Sequence, residues 1–136
     1  MTQSTLVLTD QQTQGLLREV LASLDQNALW RAENLLGQIL ETRPKEADAL
    51  QLMGVVRRAQ GRMAEAEDFY RRSLVESPDQ PNVHNNLGNI LIALGRYEEA
   101  IAELREAVRL KSNYVEAHLN LGKALSIAGR HAEARS

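Results

Sequence analysis

Apolar side chains recur along the chain at intervals of three and four residues, which is the spacing of one face of an α-helix. Two such sets lie between residues 81 and 114, separated by Gly95. Their members are Val83, Leu87, Ile90, Leu91 and Leu94, and then Ala100, Ile101, Leu104, Ala107 and Val108. A glycine between them favours a left-handed cap that ends the first helix. Pro44 and Pro78 follow second helices, which they stop from continuing. The pattern therefore predicts pairs of helices joined by short turns.

Six of the eight glycines show how often this pair repeats. They are Gly54, Gly61, Gly88, Gly95, Gly122 and Gly129, and their spacings alternate between 7 and 27 residues. Other residues keep the same period of 34, namely Ala32, Ala66, Ala100 and Ala134, Pro44 and Pro78, and His84 and His118. A fixed period of this length is typical of stacked helical repeats. We therefore divide the chain into a lead-in, 1–12, a degenerate repeat, 13–46, two full repeats, 47–80 and 81–114, and a truncated repeat, 115–136.

Three of the repeated glycines, Gly54, Gly88 and Gly122, fall inside the first helix of a repeat. Glycine within a helix costs about 0.5–1 kcal/mol relative to alanine, so these positions need a structural reason. We expect the second helix of the repeat to approach closely at these points, with Ala66 and Ala100 as its small partner residues.

This arrangement resembles the tetratricopeptide repeat, a helix–turn–helix unit of about 34 residues. The resemblance is carried by Met53-Gly54, Leu87-Gly88 and Leu121-Gly122 in the first helices, and by Ala66 with Tyr70 and Ala100 with Leu104 in the second helices. It covers residues 13–136 and implies an all-α fold, an α-solenoid wound as a right-handed superhelix. Val20 and Asn27 replace the two glycines in the first repeat. Because residue 136 falls just after a second helix would begin, we expect this sequence to be the N-terminal part of a longer chain.

The lead-in contains a helix start signal, because Thr9-x-x-Gln12 has the pattern of a capping box. Leu6 to Leu8 either pack onto the first helix pair or form a loose terminus. This segment lacks the basic start and long apolar run of a signal peptide. The absence of cysteine fits a reducing compartment, so we expect a cytoplasmic protein. Thirteen arginines against three lysines favour a bacterial source.

The resemblance implies that the first helices of the repeats line a concave groove, which is the binding surface of such solenoids. The positions that it places toward the groove are Gln14, Leu17, Arg18, Leu21, Leu24 and Asp25 in the first repeat, Asp48, Gln51, Leu52, Val55, Arg58 and Ala59 in the second, Asn82, Asn85, Asn86, Asn89, Ile92 and Ala93 in the third, and Glu116, Leu119, Asn120, Lys123, Ser126 and Ile127 in the fourth. Our candidate peptide-binding residues are Asn82, Asn85, Asn86, Asn89, Asn120, Lys123, Gln51 and Arg58. A side-chain amide offers a donor and an acceptor, and so matches a peptide backbone. Alternatively, the asparagines form hydrogen bonds within or between helices.

The function that the resemblance implies is a non-catalytic scaffold for protein–protein interaction, which binds an extended peptide or protein segment in the groove. One alternative is an accessory, substrate-recruiting domain of a larger enzyme, since this repeat is often joined to transferase or hydroxylase domains. Another is a homo-oligomer, because the truncated fourth repeat leaves an apolar helix face for a second copy. The family's clamp for a C-terminal carboxylate is not expected, because the position of its lysine carries Leu17, Gln51, Asn85 and Leu119.

The charge and composition of the chain argue against several kinds of partner and site. The chain has 16 basic and 18 acidic side chains and a net charge of −2, which argues against a nucleic-acid partner. No stretch approaches the roughly 18 apolar residues of a membrane span, so no membrane partner is expected. No catalytic constellation, cofactor motif or metal site is evident. His84 and His118 lie one repeat apart and are expected to fill inter-helix sites rather than to share a metal ion.

Two further expectations concern side chains outside the groove. The aromatic residues are expected to pack mostly between helices; they are Trp30, Phe69, Tyr70, Tyr97 and Tyr114. The basic pairs Arg57-Arg58 and Arg71-Arg72 are expected to lie on solvated faces, with a partner one helical turn away such as Glu67 for Arg71.

Overall fold

The computed structural model describes the backbone of residues 7–135 and the side chains of residues 7–133. In that part of the chain every regular element is an α-helix. The helices are α1 Asp10–Asp25, α2 Leu29–Thr42, α3 Ala47–Ala59, α4 Met63–Glu76, α5 Pro81–Ala93, α6 Tyr97–Leu110 and α7 Val115–Arg135. The predicted all-α helical repeat is confirmed. The helices form two compact units, α1 to α4 in the N-terminal unit and α5 to α7 in the C-terminal unit.

The N-terminal unit has a core in which α1 packs on α2, α2 on α3 and α3 on α4. The core residues are Leu17, Val20, Ala32, Leu36, Ile39, Ala49, Leu52, Met53 and Val56. The predicted capping box opens α1, because the Gln12 backbone N–H donates to Thr9 Oγ1 at 3.1 Å and the Thr9 N–H donates to Gln12 Oε1 at 2.9 Å. Of the lead-in leucines, Leu8 packs against the core, whereas Leu6 lies outside the described residues.

The turns within the first three helix pairs use a left-handed residue at the same repeat position. Gly61 and Gly95 have φ angles of 77° and 78°, and Asn27 has a φ of 57°. Asparagine tolerates this region better than other side chains because its short amide can hydrogen-bond locally. The expectation that a second helix begins shortly before residue 136 is wrong for the described backbone, because α7 continues through Gly129 to Arg135.

The glycines inside α3 and α5 allow the paired helix to approach closely. A Cβ on Gly54 would lie 2.6 Å from Cε1 of Tyr70, and one on Gly88 would lie 2.5 Å from Cγ of Leu104. The expected close approach is therefore confirmed, but its partners are these two large side chains rather than Ala66 and Ala100. The absent Cβ makes a notch that receives a large side chain from the facing helix. Gly122 in α7 has no such neighbour within 4 Å among the described residues.

The aromatic side chains differ in how deeply they pack. Tyr70 is fully buried, and burial raises the pKa of its phenol to about 12. Trp30 is 70% exposed on α2, so the core role expected for the aromatic residues is wrong for it. Phe69 packs against the N-terminal core.

Candidate functional site

The first helices of the N-terminal unit, α1 and α3, line an open cavity of about 230 Å³. Its lining residues are Gln14, Leu17, Arg18, Leu21, Asp48, Gln51 and Leu52. All of them belong to the groove-facing set that the resemblance implies, although only Gln51 was among the candidate binding residues. The other candidate of this unit, Arg58, is exposed further along α3 and does not line the cavity.

The lining of this cavity combines apolar and polar side chains. Leu17 and Leu52 are buried, and Leu21 is 51% exposed. The polar lining residues are Gln14, Arg18, Asp48 and Gln51. Within the part of the chain that the structure describes, none of these four side chains has a hydrogen bond or ion pair.

In the C-terminal unit, the corresponding helices α5 and α7 are joined by side-chain amides. The Asn120 amide donates to Asn85 Oδ1 at 3.0 Å, and the Asn85 amide donates to the Tyr114 hydroxyl at 3.5 Å. Asn85 is only 1% exposed. Buried polar groups need hydrogen-bond partners, so this chain of contacts accounts for an amide in the core of the unit. For Asn85 the structure therefore supports the interhelical alternative rather than a direct ligand contact.

The remaining candidates of the C-terminal unit are accessible. Asn86 and Asn89 are half-buried on α5, while Asn82 on α5 and Lys123 on α7 are exposed. These four side chains form no hydrogen bond or ion pair with other residues that the structure describes. Asn120 is half-buried and retains one exposed side beyond its contact with Asn85.

The two repeat-related histidines occupy different environments. His84 packs between helices, with Nδ1 2.8 Å from Glu103 Oε2 and Nε2 2.8 Å from the Pro78 carbonyl oxygen. Burial alone would lower the pKa of His84, but the bonds to Glu103 and Pro78 outweigh it and raise the pKa. His118 is exposed, so the expected inter-helix role is wrong for it. The described residues contain no cluster of three or more side chains suited to a metal ion.

Arg57 is not the solvated residue that its basic pair suggested. Its side chain is 13% exposed and bonds to Glu33 on α2 at 2.5 Å, with Glu65 on α4 at 3.6 Å. The hydrogen bond from Arg57 is also the main reason why the pKa of Glu33 is lowered. In contrast, the predicted pair of Arg71 with Glu67 is confirmed at 2.9 Å.

A larger cavity of about 530 Å³ lies in the C-terminal unit, between the start of α6 and the end of α7. Its lining residues are Gly95, Arg96, Tyr97, Glu98, Glu99, Ala128, His131 and Ala132. The rings of Tyr97 and His131 are 5.2 Å apart. None of the candidate binding residues lines this cavity. The repeat pattern does not predict it, because part of its wall is the unexpected continuation of α7.

None of the helices in the described part of the chain is long and apolar enough to cross a membrane.

Comparison with protein families gives three matches of the same kind. Two models described as tetratricopeptide repeat match residues 17–81 and 69–102, and one described as TPR repeat matches residues 88–126. Together they extend over both units. The curated protein sequences contain no match to the chain.

Solved structures with the same arrangement of helices come from several proteins. The O-GlcNAc transferase of Thermobaculum terrenum has a TM-score of 0.81 and 28% identity over 92% of this chain and 23% of its own. YrrB, described as a TPR protein with an unusual peptide-binding site, has a TM-score of 0.78 and 26% identity over 88% of this chain and 61% of its own. The chain thus spans about a quarter of the transferase and three fifths of YrrB.

A third similar structure is more distant in sequence. The first TPR domain of Spaghetti (RPAP3), solved with the HSP90 peptide SRMEEVD, has a TM-score of 0.84 and 16% identity over 91% of this chain and 98% of its own. At this identity the likeness concerns the fold alone.

Proposed function

Since the chain belongs to the tetratricopeptide repeat family, we propose that it is a non-catalytic interaction scaffold that binds an extended peptide or protein segment on its groove-facing helices. A protein-interaction role is supported by the family and by the peptide-binding neighbour YrrB. The repeat boundaries at 13–46, 47–80, 81–114 and 115–136 are part of the same proposal, as is a cytoplasmic location in a bacterium.

The observation that carries the proposal is the row of amides on α5. Asn82, Asn86 and Asn89 follow one another at spacings of four and three, so they share one side of the helix. Their side chains have no partner in the described part of the chain, and two of them are half-buried. Unpaired amides at a partly buried surface favour a ligand that supplies both donors and acceptors, and an extended peptide backbone does so.

The proposal is tested with peptides selected from a random 12-residue library on the wild-type protein. Affinity for a selected peptide is then measured by fluorescence anisotropy with the double variant Asn86→Ala and Asn89→Ala. Loss of two hydrogen bonds of about 0.5–1.5 kcal/mol each predicts a loss of affinity of roughly 5- to 140-fold. Asn34→Ala, which removes an exposed asparagine on α2, is the matched control and should leave affinity unchanged. Equal affinities for the wild type and the double variant would reject the amide contact.

A second candidate is an accessory domain of a larger transferase. The observation that favours it is the 28% identity to the Thermobaculum terrenum enzyme over 92% of this chain. In that case the natural reading frame continues into a catalytic domain, and deleting residues 1–136 raises KM for protein substrates without changing kcat. A reading frame without such a domain would reject this candidate.

Self-association is favoured by the exposed apolar face of α7. Val115 and Leu119 are both 70% exposed and Leu125 is 43% exposed, with the empty notch of Gly122 between them. A second copy that covers this face would remove it from water. Light scattering should then show a concentration-dependent dimer that Leu119→Glu abolishes, whereas a strict monomer at high concentration would contradict the idea.

A further inference from the structure

The cavity between α1 and α3 has the size of a site for a single side chain. Its volume is about 230 Å³. An apolar cavity of about 150 Å³ already holds a benzene molecule, whereas sites for drug-sized ligands begin at about 300 Å³. Leu17, Leu21 and Leu52 supply its apolar lining. The cavity therefore fits one large apolar side chain better than a complete small molecule.

The polar residues around the cavity fit a peptide on either side of that side chain. Gln14 on α1 and Gln51 on α3 carry amides with donors and acceptors for a backbone. Arg18 on α1 and Asp48 on α3 place opposite charges on the two helices, and both lack ion-pair partners within the described residues. An apolar lining with a few unpaired polar groups is typical of a binding site.

We propose that this cavity is an anchor site for one leucine-sized side chain of an extended peptide, with an acidic residue of the peptide beside Arg18 and a basic residue beside Asp48. The inference rests on the proposed function and adds the chemical class of its ligand. It also assigns binding roles to Leu17, Leu21 and Leu52, whereas the proposed function rests on the asparagine amides of α5.

The direct test uses N-acetyl-leucine N-methylamide as a probe and the leucine methyl signals of the ¹³C-labelled full chain as the readout. The methyl groups of Leu17, Leu21 and Leu52 should shift and saturate during titration. The alanine analogue should bind about tenfold more weakly or worse, because it buries three fewer carbon atoms. No saturable shift at these three residues, or equal binding of the two probes, would overturn the proposal.

A variant with a charge at the cavity gives an independent test. Leu21 is half exposed, so Leu21→Glu should fold normally, which its circular dichroism and melting temperature verify. It should abolish the saturation of the remaining leucine methyls. Val75→Glu is the matched control, since Val75 is an exposed apolar residue on α4 of the same unit, and it should bind the probe like the wild type. Retained binding by Leu21→Glu would contradict the assignment.

The charge order is tested with two capped tripeptides, Glu-Leu-Lys and Lys-Leu-Glu. One of them should bind more tightly to the wild type, and the double variant Arg18→Glu and Asp48→Lys should reverse the preference. Equal binding of both tripeptides to both proteins would reject the charge matching.

The outcomes also separate this inference from the proposed function. If the leucine probe binds but the double variant Asn86→Ala and Asn89→Ala keeps its affinity for the selected peptides, the anchor site stands and the amide contact is rejected. Peptide binding that depends on the asparagines but not on Leu21 would reject the anchor site alone.

Discussion

The two units use the same repeat positions for opposite chemistry. Leu17 in α1 and Asn85 in α5 occupy one position, and Leu52 in α3 and Asn120 in α7 occupy another. In the N-terminal unit the leucines line a cavity, whereas in the C-terminal unit the asparagines bond to each other at 3.0 Å. Both Leu17 and Asn85 are buried. A repeat position thus dictates where a side chain points, while the residue type decides whether two first helices meet through apolar contact or through a hydrogen bond.

The largest expected effect on stability comes from a leucine of the N-terminal unit. Leu17→Ala should lower the free energy of unfolding by about 2–5 kcal/mol, because a buried leucine is replaced by a cavity. Urea denaturation of the purified chain measures the change. Leu119→Ala, at an exposed position of the C-terminal unit, is the control and should change stability by less than about 0.5 kcal/mol. Similar losses for both variants would mean that Leu17 does not act through burial.

Removing one member of the Asn85–Asn120 pair should lower the free energy of unfolding by less than Leu17→Ala does, and replacing both members should restore much of it. Asn85→Ala leaves the Asn120 amide without its partner and should cost about 1–3 kcal/mol. Replacing both asparagines by leucine, as in the N-terminal unit, should restore much of the stability, because removing both polar partners avoids an unsatisfied group. Chemical denaturation of Asn85→Leu, Asn120→Leu and the double variant gives the coupling energy. A double variant that loses the sum of the single losses would contradict the pairing.

Both units have a helical glycine whose notch receives a large side chain, and variants at these glycines test that shared contact. Gly54→Ala and Gly88→Ala force a methyl group against Tyr70 and Leu104, which should cost about 1–3 kcal/mol, partly offset by the better helix propensity of alanine. Gly122→Ala is the matched control: its position has no described neighbour within 4 Å, so it should gain about 0.5–1 kcal/mol. Thermal melting compares the three variants. A gain in all three would show that the notches are not filled.

The smallest expected difference is in pH dependence. His84 in the C-terminal unit corresponds to Leu50 in the N-terminal unit. Because the pKa of His84 is raised in the folded state, its contribution is complete below a pH of about 6.5 and is lost as the pH rises through the folded value. The urea midpoint of the wild type should therefore fall between pH 6 and pH 8 by more than that of His84→Leu. Glu103 and Glu106 on α6, which favour the charged histidine, are present in both proteins. An identical pH dependence in the two proteins would exclude this role for His84.

Much of the fold follows from the period in the sequence. Gly61, Gly95 and Asn27 could be assigned to left-handed turns because each ends a helical apolar pattern at the same repeat position. The repeat pattern does not predict that α7 continues through Gly129. Whether a glycine ends a helix depends on what a following helix would pack against.

The candidate site was predicted less completely, for reasons that concern individual side chains. The groove-facing positions around the α1–α3 cavity follow from the resemblance to the tetratricopeptide repeat together with the repeat register. The hydrogen bond between Asn85 and Asn120 does not, since it depends on the reach of two side chains from different repeats. Arg57 was also missed, because a long side chain that bonds to Glu33 on a different helix leaves no periodic signal.

The notches also constrain how this chain has been able to change over evolutionary time. Gly54 and Tyr70 are 16 residues apart, and so are Gly88 and Leu104. One residue inserted within α4 or α6, ahead of the large side chain, would rotate that side chain by about 100° and shift it by about 1.5 Å, away from its notch. Duplication of a whole repeat leaves this spacing intact, whereas a single-codon insertion within either helix destroys it. Such a gene can therefore lengthen more readily by copying whole repeats than by inserting residues within a helix.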